Sequence, residues 1–496
     1  MQPVNWYSTN NKSEVVNFET ALLNGMASNS GLYMVERNDI PKLLPEQIRD
    51  MKGMPYSEIA FQVLNPFLGA EIPEKKLHAL LDDAYREDII PTRVQRIVDK
   101  MYVMWLTQGP TYSFKDYAMR FFGRALNHFL GERGLQRCVI TATSGDTGGA
   151  GAAALHRLEN VTNVIFYPKG EVSSGQRRQM TTLGDNIYAF EVNGDFDVCQ
   201  ALAKYLLANK EFAARLFGDP QHFTSANSIS VGRLAPQAVY PFYAHSRIAD
   251  GLEKMIVSVP SGNFGDMMGT TFAREMGLPI EKILVGLNPN KPFLDFIETG
   301  KYNVAASIKT PSSAMKVSHP SNLARLIDLY GGHMFDEKDP KTNKVIREGV
   351  IDRMPDLDAM REDFFVHSIT NEEHYDTMLN VYEKYIDELT GKRVILDPHG
   401  AVGWRTLEAS LKGDTSRLAV SYETADPGKF PVDVRKAIGI TPDLPPGMKK
   451  QAGLEERIYS VGAEPDHKRD ESGEDKLVLS DAQIREAEDK IRGIFS

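Results

Sequence analysis

The spacing of apolar positions changes along the chain, and the change predicts two kinds of structure. In the first hundred residues, apolar side chains recur at helical spacing between turns that contain Gly and Pro. From Cys138 onward, short apolar runs alternate with helical stretches of about a dozen residues, which is typical of parallel βαβ units. We therefore predict an α/β fold of parallel sheets flanked by helices, preceded by a helical N-terminal domain.

The predicted elements have definite bounds. Helices are predicted at Glu14–Leu23, Pro45–Asp50, Ser57–Leu64 and Glu74–Tyr85. Strands are predicted at Cys138–Ala142, Asn163–Tyr167, Asn186–Val192, Met255–Val259, Lys282–Leu287, Arg393–Leu396 and Leu418–Tyr422. Each strand precedes a turn and a helical stretch. We expect two sheets to share these strands.

Later segments depart from this alternation. Gly331–Pro355 contains the charged run DEKDPKTNK and is predicted to be a surface insertion. Ala463–Lys476 is rich in charge and is predicted to be a linker. Ser480 and Gln483 match a capping box, which predicts a final helix ending near Ile491. The predicted domains are a helical N-terminal domain at 1–98, a smaller α/β domain at 99–250, a larger α/β domain at 251–460, and the linker with its helix at 461–496.

Charge and cysteine content narrow the class of protein. The 67 acidic and 57 basic residues give a formal net charge of −10, which argues against nucleic acid or an anionic membrane as the main partner. Cys138 and Cys199 offer neither a disulfide framework nor a paired metal-ligand motif, so we expect no metal site. A signal peptide and apolar stretches of about 18 residues are absent. We expect a cytoplasmic protein, either a monomer or a homodimer.

Three motifs could carry chemistry. PSGNFGD follows the strand ending at Val259, and its small residues and helix start suit a phosphate group, although such turns are also common for steric reasons. ATSGDTGGAGAA follows Thr141 and suits a carboxylate, the alternative being an ordinary helix cap. Lys115 lies among Phe114, Tyr117, Phe121 and Phe122, where a lowered amine pKa would favour a Schiff base; most such lysines merely extend to solvent.

Together these motifs resemble a known family. GPTYSFKD, TATSGDTG and SVPSGNFGD, in this order, are similar to the cofactor lysine, carboxylate loop and cofactor-phosphate loop of the threonine synthase family, which belongs to the tryptophan synthase β-like (fold type II) enzymes that use pyridoxal 5'-phosphate (PLP). The resemblance covers roughly residues 5–440. Further similar segments are Tyr7-Ser8-Thr9, Gly31-Leu32-Tyr33, Tyr167-Pro168-Lys169-Gly170, Ser225-Ala226-Asn227-Ser228 and Pro398-His399-Gly400-Ala401-Val402.

The resemblance implies a cofactor site. Lys115 would hold PLP as a Schiff base and then move protons during the reaction. The cofactor phosphate would be held by Ser261, Gly262, Asn263, Phe264 and Gly265. Thr424 would place a neutral hydroxyl at the pyridine nitrogen. Many relatives have His where Asp426 stands, which leaves the tuning of this end of the site open.

The resemblance also implies a substrate site. The substrate carboxylate would be bound by Thr143, Ser144, Asp146 and Thr147, with many relatives having Asn at the position of Asp146. The substrate phosphate would be bound by Lys169, Asn227 and Arg233, although both cations could equally be surface charges beside a cleft. His399 is more often a structural histidine at a helix start than an acid or base.

The implied reaction is the conversion of O-phospho-L-homoserine and water to L-threonine and phosphate. One alternative is a lyase that stops after elimination and releases 2-oxobutanoate. A second is dehydration of serine or threonine on the same scaffold, which the candidate phosphate-binding cations disfavour. A third is a non-catalytic binding protein, which the intact Lys115 and Thr424 disfavour.

Overall fold

The computed structural model describes residues 3–339, 345–469 and 475–495. Its strands are β1 (Trp6–Ser8), β2 (Asn11–Val16), β3 (Tyr33–Met34), β4 (Arg93–Val98), β5 (Met101–Trp105), β6 (Arg137–Ala142), β7 (Val161–Pro168), β8 (Ile187–Val192), β9 (Phe223–Ser225), β10 (Met255–Pro260), β11 (Ile280–Leu287), β12 (His333–Lys338), β13 (Val345–Arg353), β14 (Phe364–Ser368), β15 (Ala419–Glu423), β16 (Ile458–Val461), β17 (Asp466–Arg469) and β18 (Asp475–Val478).

Helices make up most of the remaining structure. The α-helices are α1 (Phe18–Asn24), α2 (Pro45–Asp50), α3 (Tyr56–Leu68), α4 (Glu74–Ala84), α5 (Lys115–Arg133), α6 (Asp146–Leu155), α7 (Ser174–Thr181), α8 (Phe196–Ala208), α9 (Lys210–Phe217), α10 (Val231–Leu234), α11 (Val239–Ile248), α12 (Gly265–Glu275), α13 (Pro292–Thr299), α14 (Leu323–Leu329), α15 (Leu357–Asp363), α16 (Asn371–Lys384), α17 (Pro398–Leu411), α18 (Pro431–Ile438), α19 (Pro446–Gln451) and α20 (Asp481–Phe495). Short 3₁₀ helices lie at Arg37–Asp39, Ala235–Ala238, Ser313–Met315 and Pro427–Lys429. None of the helices within the described ranges has the length and apolarity needed to cross a bilayer.

The chain divides into two compact units, each assembled from segments distant in sequence. Unit 1 comprises Met1–Leu22, Met26–Ala118 and Ser228–Asp443, and unit 2 comprises Leu23–Gly25, Met119–Asn227 and Leu444–Ser496. Lys115 therefore belongs to unit 1. The sequence segments 1–98, 99–250, 251–460 and 461–496 stay a prediction of domain boundaries.

Unit 1 is organised around a six-stranded sheet with the order β14-β11-β10-β15-β5-β4. All neighbours pair in parallel except β4, which is an antiparallel edge strand. Every residue of β10 is buried, as expected of a central strand in a covered parallel sheet. Because β10, β15 and β5 are adjacent and parallel, the loops that leave them emerge at one edge of the sheet.

Unit 2 contains a parallel five-stranded sheet with the order β16-β8-β7-β6-β9. Its core includes Cys138 and Cys199 together with Ala487 and Ile491 of α20. The predicted capping box of α20 is confirmed: Ser480 Oγ accepts from the Gln483 N–H, and Gln483 Oε1 accepts from the Ser480 N–H, both at 3.2 Å. The final helix therefore packs as part of this core.

The predicted parallel sheets are confirmed, with one wrong strand. Six of the seven predicted strands correspond to β6, β7, β8, β10, β11 and β15. Arg393–Leu396 is instead an irregular segment in which Arg393 forms only an isolated bridge with Ile386. Val394 and Leu396 are buried in a core cluster. The apolar pattern therefore indicated a buried segment, but this segment does not pair in a sheet. The sequence reading missed β5, which leads to Lys115.

The predicted N-terminal helices are present, with an added sheet. Helices α2, α3 and α4 lie where they were predicted, but the proposed helix at Glu14–Leu23 is wrong at its start. Residues as far as Val16 form β2, which pairs with β1, and α1 begins at Phe18. A three-stranded sheet, β2-β1-β3, therefore accompanies the helices.

The two other predicted irregular regions contain paired strands. Within Gly331–Pro355, β12 and β13 form a separate two-stranded sheet, which agrees with an insertion into the alternating pattern. The linker predicted at Ala463–Lys476 is corrected, because β17 and β18 pair there in an antiparallel manner. The predicted insertion also covers residues 340–344, and the predicted linker covers residues 470–474. Both of these stretches lie outside the described residues.

Candidate active site

Lys115 lies on a loop that is fastened to the end of β15. The Phe114 N–H donates to the Thr424 carbonyl at 2.9 Å, and the Asp426 N–H donates to the Tyr112 carbonyl at 3.0 Å. Lys115 is the first residue of α5, and its Nζ lies 4.7 Å from the centroid of the Phe114 ring. These backbone bonds place the predicted cofactor lysine and the predicted pyridine partner at the same edge of the sheet.

A buried carboxyl group holds this loop in shape. Asp116 accepts from the Thr111 N–H at 2.8 Å and from the Thr111 hydroxyl at 2.6 Å. The Lys429 ammonium donates to the Thr111 carbonyl at 2.8 Å. Burial raises the pKa of Asp116. A Cβ added to Gly109 would lie 2.5 Å from Asp116 Oδ2, so the loop requires glycine there.

The predicted phosphate loop, Ser261–Gly265, follows β10 and leads into α12. Within the described ranges, no hydrogen bond takes its donor from the N–H groups of Gly262, Asn263, Phe264 or Gly265. These donors stand at the start of an 11-residue helix, where the dipole favours an anion. Phe264 adopts left-handed backbone angles, with φ of 62°, and its buried ring packs edge-on against Phe293. The donor set fits a phosphate group.

Asp266, in the first turn of α12, was not predicted as a site residue. It is 3% exposed, and burial raises the pKa of its carboxyl to about 7, while the positive charge of Lys115 opposes that rise. The carboxyl is therefore close enough to Lys115 to sense its charge. Its place in PSGNFGD was the one signal that could have revealed it.

A buried arginine stabilises the predicted phosphate loop through Asn322. Arg325 is fully buried and donates to Asn322 Oδ1 and to the Tyr33 carbonyl, and Asn322 in turn donates to the Asn263 carbonyl at 2.9 Å. Burial lowers the pKa of Arg325 to about 9. Among the described residues, no carboxylate lies within 4.0 Å of its guanidinium nitrogens. Nothing in the segment PSNLAR identified this arginine beforehand.

Asp426 stabilises the turn that follows Thr424. It caps the 3₁₀ helix at Pro427–Lys429, and its Oδ1 accepts from the Gly428 N–H at 2.8 Å. Burial raises the pKa of the carboxyl to about 6. The residue thus fixes the turn that follows Thr424.

The predicted substrate residues of unit 2 also gather at one sheet edge. The segment Thr143–Thr147 follows β6, Lys169 follows β7, and Asn227 lies just beyond β9. Since β7, β6 and β9 are adjacent and parallel, these residues share the carboxyl edge of the sheet. Arg233 instead belongs to unit 1, where it is part of the short helix α10.

The carboxylate loop is shaped by its own side chains. Thr143 Oγ1 accepts from the N–H groups of Gly145 and Gly148, both at 2.9 Å. Asp146 Oδ1 accepts from Gln176 Nε2 at 2.9 Å. Gly145 has φ of 134°, and a Cβ there would lie 2.6 Å from the Gln176 side chain. Thr143 is buried, whereas Ser144 is exposed and Thr147 is partly exposed.

Lys115, the donors of the loop Gly262–Gly265 and the Thr424 hydroxyl follow adjacent parallel strands, an arrangement that suits a pyridoxal-phosphate-dependent enzyme. Residues 95–350 match the family described as "Pyridoxal-phosphate dependent enzyme". Residues 5–85 match "Threonine synthase N terminus", and residues 400–470 match "Threonine synthase, C-terminal". The chain belongs to the threonine synthase family.

Individual relatives agree with this assignment. A threonine synthase of Pseudomonas aeruginosa is 34% identical over 461 residues, covering 91% of this chain and 94% of the relative. That of Escherichia coli K12 is 31% identical, covering 90% and 94%. A crystal structure of PLP-bound threonine synthase from Brucella melitensis has a TM-score of 0.84 with 29% identity and covers 99% of both chains.

Proposed function

We propose that this protein converts O-phospho-L-homoserine and water to L-threonine and phosphate, the last step of threonine biosynthesis. The observation that carries the proposal is the convergence of Lys115, the loop Ser261–Gly265 and Thr424 at the ends of three adjacent strands of unit 1. The family membership supports the same reaction. The two buried, unpaired cysteines favour a reducing compartment and support a cytoplasmic location.

The cofactor would be held at three points. Lys115 would bind it covalently, the N–H groups of Gly262–Gly265 would donate hydrogen bonds to its phosphate, and the Thr424 hydroxyl would serve its pyridine nitrogen. Bound PLP supplies an electron sink that stabilises negative charge on the substrate carbon atoms. A neutral hydroxyl at the nitrogen would not enforce a protonated ring, because it carries no charge to stabilise one.

The residues of the chain would then direct the reaction. Lys115 Nζ removes the α-proton and next a β-proton of the substrate, and phosphate leaves from the γ-carbon. Lys115 would then return a proton to the γ-carbon, water would add at the β-carbon, and Lys115 would return a proton to the α-carbon to give threonine. Thr143, Ser144, Asp146 and Thr147 orient the substrate carboxylate, while Lys169, Asn227 and Arg233 bind its phosphate.

Product analysis tests this proposal. The purified, PLP-loaded protein is mixed with O-phospho-L-homoserine, and threonine, phosphate and 2-oxobutanoate are measured. Threonine and phosphate in equal amounts are expected. Release of 2-oxobutanoate with phosphate would identify a lyase, and the absence of turnover would favour a non-catalytic binding protein.

Substitution of the lysine tests its role separately. Lys115→Ala is expected to lower kcat by at least about 100-fold, because general acid–base catalysis contributes about 10²–10⁴-fold. Borohydride reduction of the native protein should attach the cofactor to the peptide that contains Lys115. Attachment to another lysine would contradict the assignment.

A further inference from the structure

A buried hydrogen-bond network includes the residues on both sides of Thr424. Glu423, the last residue of β15, is buried, and its Oε1 accepts from the Asp397 N–H at 2.6 Å. Asp397 is fully buried, and its Oδ2 accepts from the Ala425 N–H at 3.2 Å. The residues immediately before and after Thr424 are therefore both tied to Asp397. This fixes the backbone that presents the Thr424 hydroxyl.

The hydrogen-bond network continues through His399. Asp397 Oδ1 accepts from the His399 backbone N–H at 2.6 Å and lies 2.6 Å from His399 Nδ1. On its other side, His399 Nε2 accepts from the Ala314 N–H at 3.1 Å. Because Nε2 acts as an acceptor, the ring proton lies on Nδ1 and is donated to Asp397. The 3%-exposed imidazole thus joins two segments that are far apart in sequence.

The segment that His399 holds, at Ala314, lies against the phosphate loop. A Cβ added to Gly262 would lie 3.1 Å from Met315 Cα and 3.3 Å from the Ala314 carbonyl oxygen, so this segment packs directly against the loop. Asn288 Nδ2 holds the same segment through the Met315 carbonyl at 2.9 Å. A shift of Ala314 would therefore displace the backbone that packs against Gly262.

We propose that His399 is a positioning residue that sets the separation between the Thr424 hydroxyl and the phosphate loop. The proposal rests on the roles of Thr424 and Gly262 in holding PLP given under the proposed function. The distance from the pyridine nitrogen to the phosphate of PLP is nearly fixed, so both ends bind well only when the two anchors have the matching separation. His399 controls this match through its two hydrogen bonds without touching the cofactor.

Two substitutions separate the two hydrogen bonds of the ring. His399→Asn keeps a donor near the position of Nδ1 and loses the acceptor for Ala314. His399→Gln can place its amide oxygen near the position of Nε2 and keep that acceptor. Dissociation constants are measured on the apo-proteins for PLP and for pyridoxal, which lacks the phosphate and therefore does not use the phosphate loop.

The expected result is a change in the preference for PLP over pyridoxal. The ratio compared is the dissociation constant for pyridoxal divided by that for PLP. In His399→Asn this ratio should fall by about tenfold, the effect of losing one buried hydrogen bond. In His399→Gln the ratio should stay within about threefold of the native value. His245→Gln is the control, since His245 is also buried in unit 1 but contacts the Glu253 carbonyl at 3.0 Å. This control should keep the native ratio.

Equal weakening of both ligands in both His399 variants would overturn the proposal, because it would indicate general loss of structure. A native ratio in His399→Asn would also overturn it. Failure of the proposed cofactor site has a different signature, since the native protein would then not bind PLP at Lys115, and a lyase would be recognised by its 2-oxobutanoate product while the ratio test stays valid.

Discussion

At the scale of single residues, burial separates the two cations assigned to the substrate phosphate. Lys169 is exposed, whereas Arg233 is 3% exposed. Burial lowers the pKa of Arg233 to about 10, so its guanidinium is still charged at neutral pH. An exposed cation interacts through water and contributes little, while a buried one makes stronger, less screened hydrogen bonds to an anion. We therefore expect Arg233 to contribute more to substrate binding.

Arg233→Leu should raise the KM for O-phospho-L-homoserine by about 10- to 100-fold, because a hydrogen bond to a charged group is worth about 1.5–3 kcal/mol. Lys169→Leu is the matched comparison and should raise KM by less than about fivefold. Phosphate release at varied substrate concentration measures both. The reverse order of the two effects would show that exposure does not decide which cation binds the phosphate.

At the scale of elements, the sequence predicts what depends on local pattern. The strands β6, β10 and β15 and the loops that follow β6 and β10 were located because apolar runs and glycine-rich turns are local signals. The strand β5 was not, although it lies beside β15 and leads to Lys115. Its residues MYVMW form a local hairpin with β4, a signal that was missed, whereas their pairing with β15 joins positions more than 300 apart and leaves no local pattern.

Among the supporting side chains, Arg325 was not predicted, and His399 was predicted as a structural histidine without its partners. Arg325 acts on the phosphate loop through Asn322, and His399 reaches it through Ala314. Each link joins segments brought together only by the fold. Motif resemblance therefore identifies residues expected to touch ligands, while the residues that position them require the three-dimensional structure.

The loop before α6 provides an element-scale prediction. Thr143 Oγ1 accepts from the Gly145 and Gly148 N–H groups, so it shapes the loop predicted to bind the substrate carboxylate. Thr143→Val keeps the shape of the side chain but leaves these donors without their acceptor. We expect a KM increase of about 10-fold or more and a lower melting temperature, since unsatisfied buried donors cost about 1–3 kcal/mol.

Thr143→Ser is the matched control for that substitution, because it retains the hydroxyl and loses only a methyl group. It should keep KM within about threefold of the native value. If the Val and Ser variants have the same KM, the hydroxyl does not shape the loop for substrate.

At the scale of the whole molecule, both cysteines lie in the core of unit 2. Cys138 is in β6, Cys199 is in α8, and both side chains are fully buried in one cluster of apolar residues. Burial raises the pKa of both thiols. A thiol reagent can therefore attack only after this core opens, so the rate of labelling reports the opening of unit 2.

Labelling should show that unit 2 opens as one body. In single-cysteine variants, Cys138→Ala and Cys199→Ala, the remaining thiol should react with a chromogenic disulfide reagent at equal rates within about threefold, because one opening exposes both. Ser144→Cys provides an exposed thiol as control and should react at least about 100-fold faster than either. If Cys199 reacts more than about tenfold faster than Cys138, α8 detaches while β6 stays covered, and the core of unit 2 opens in parts.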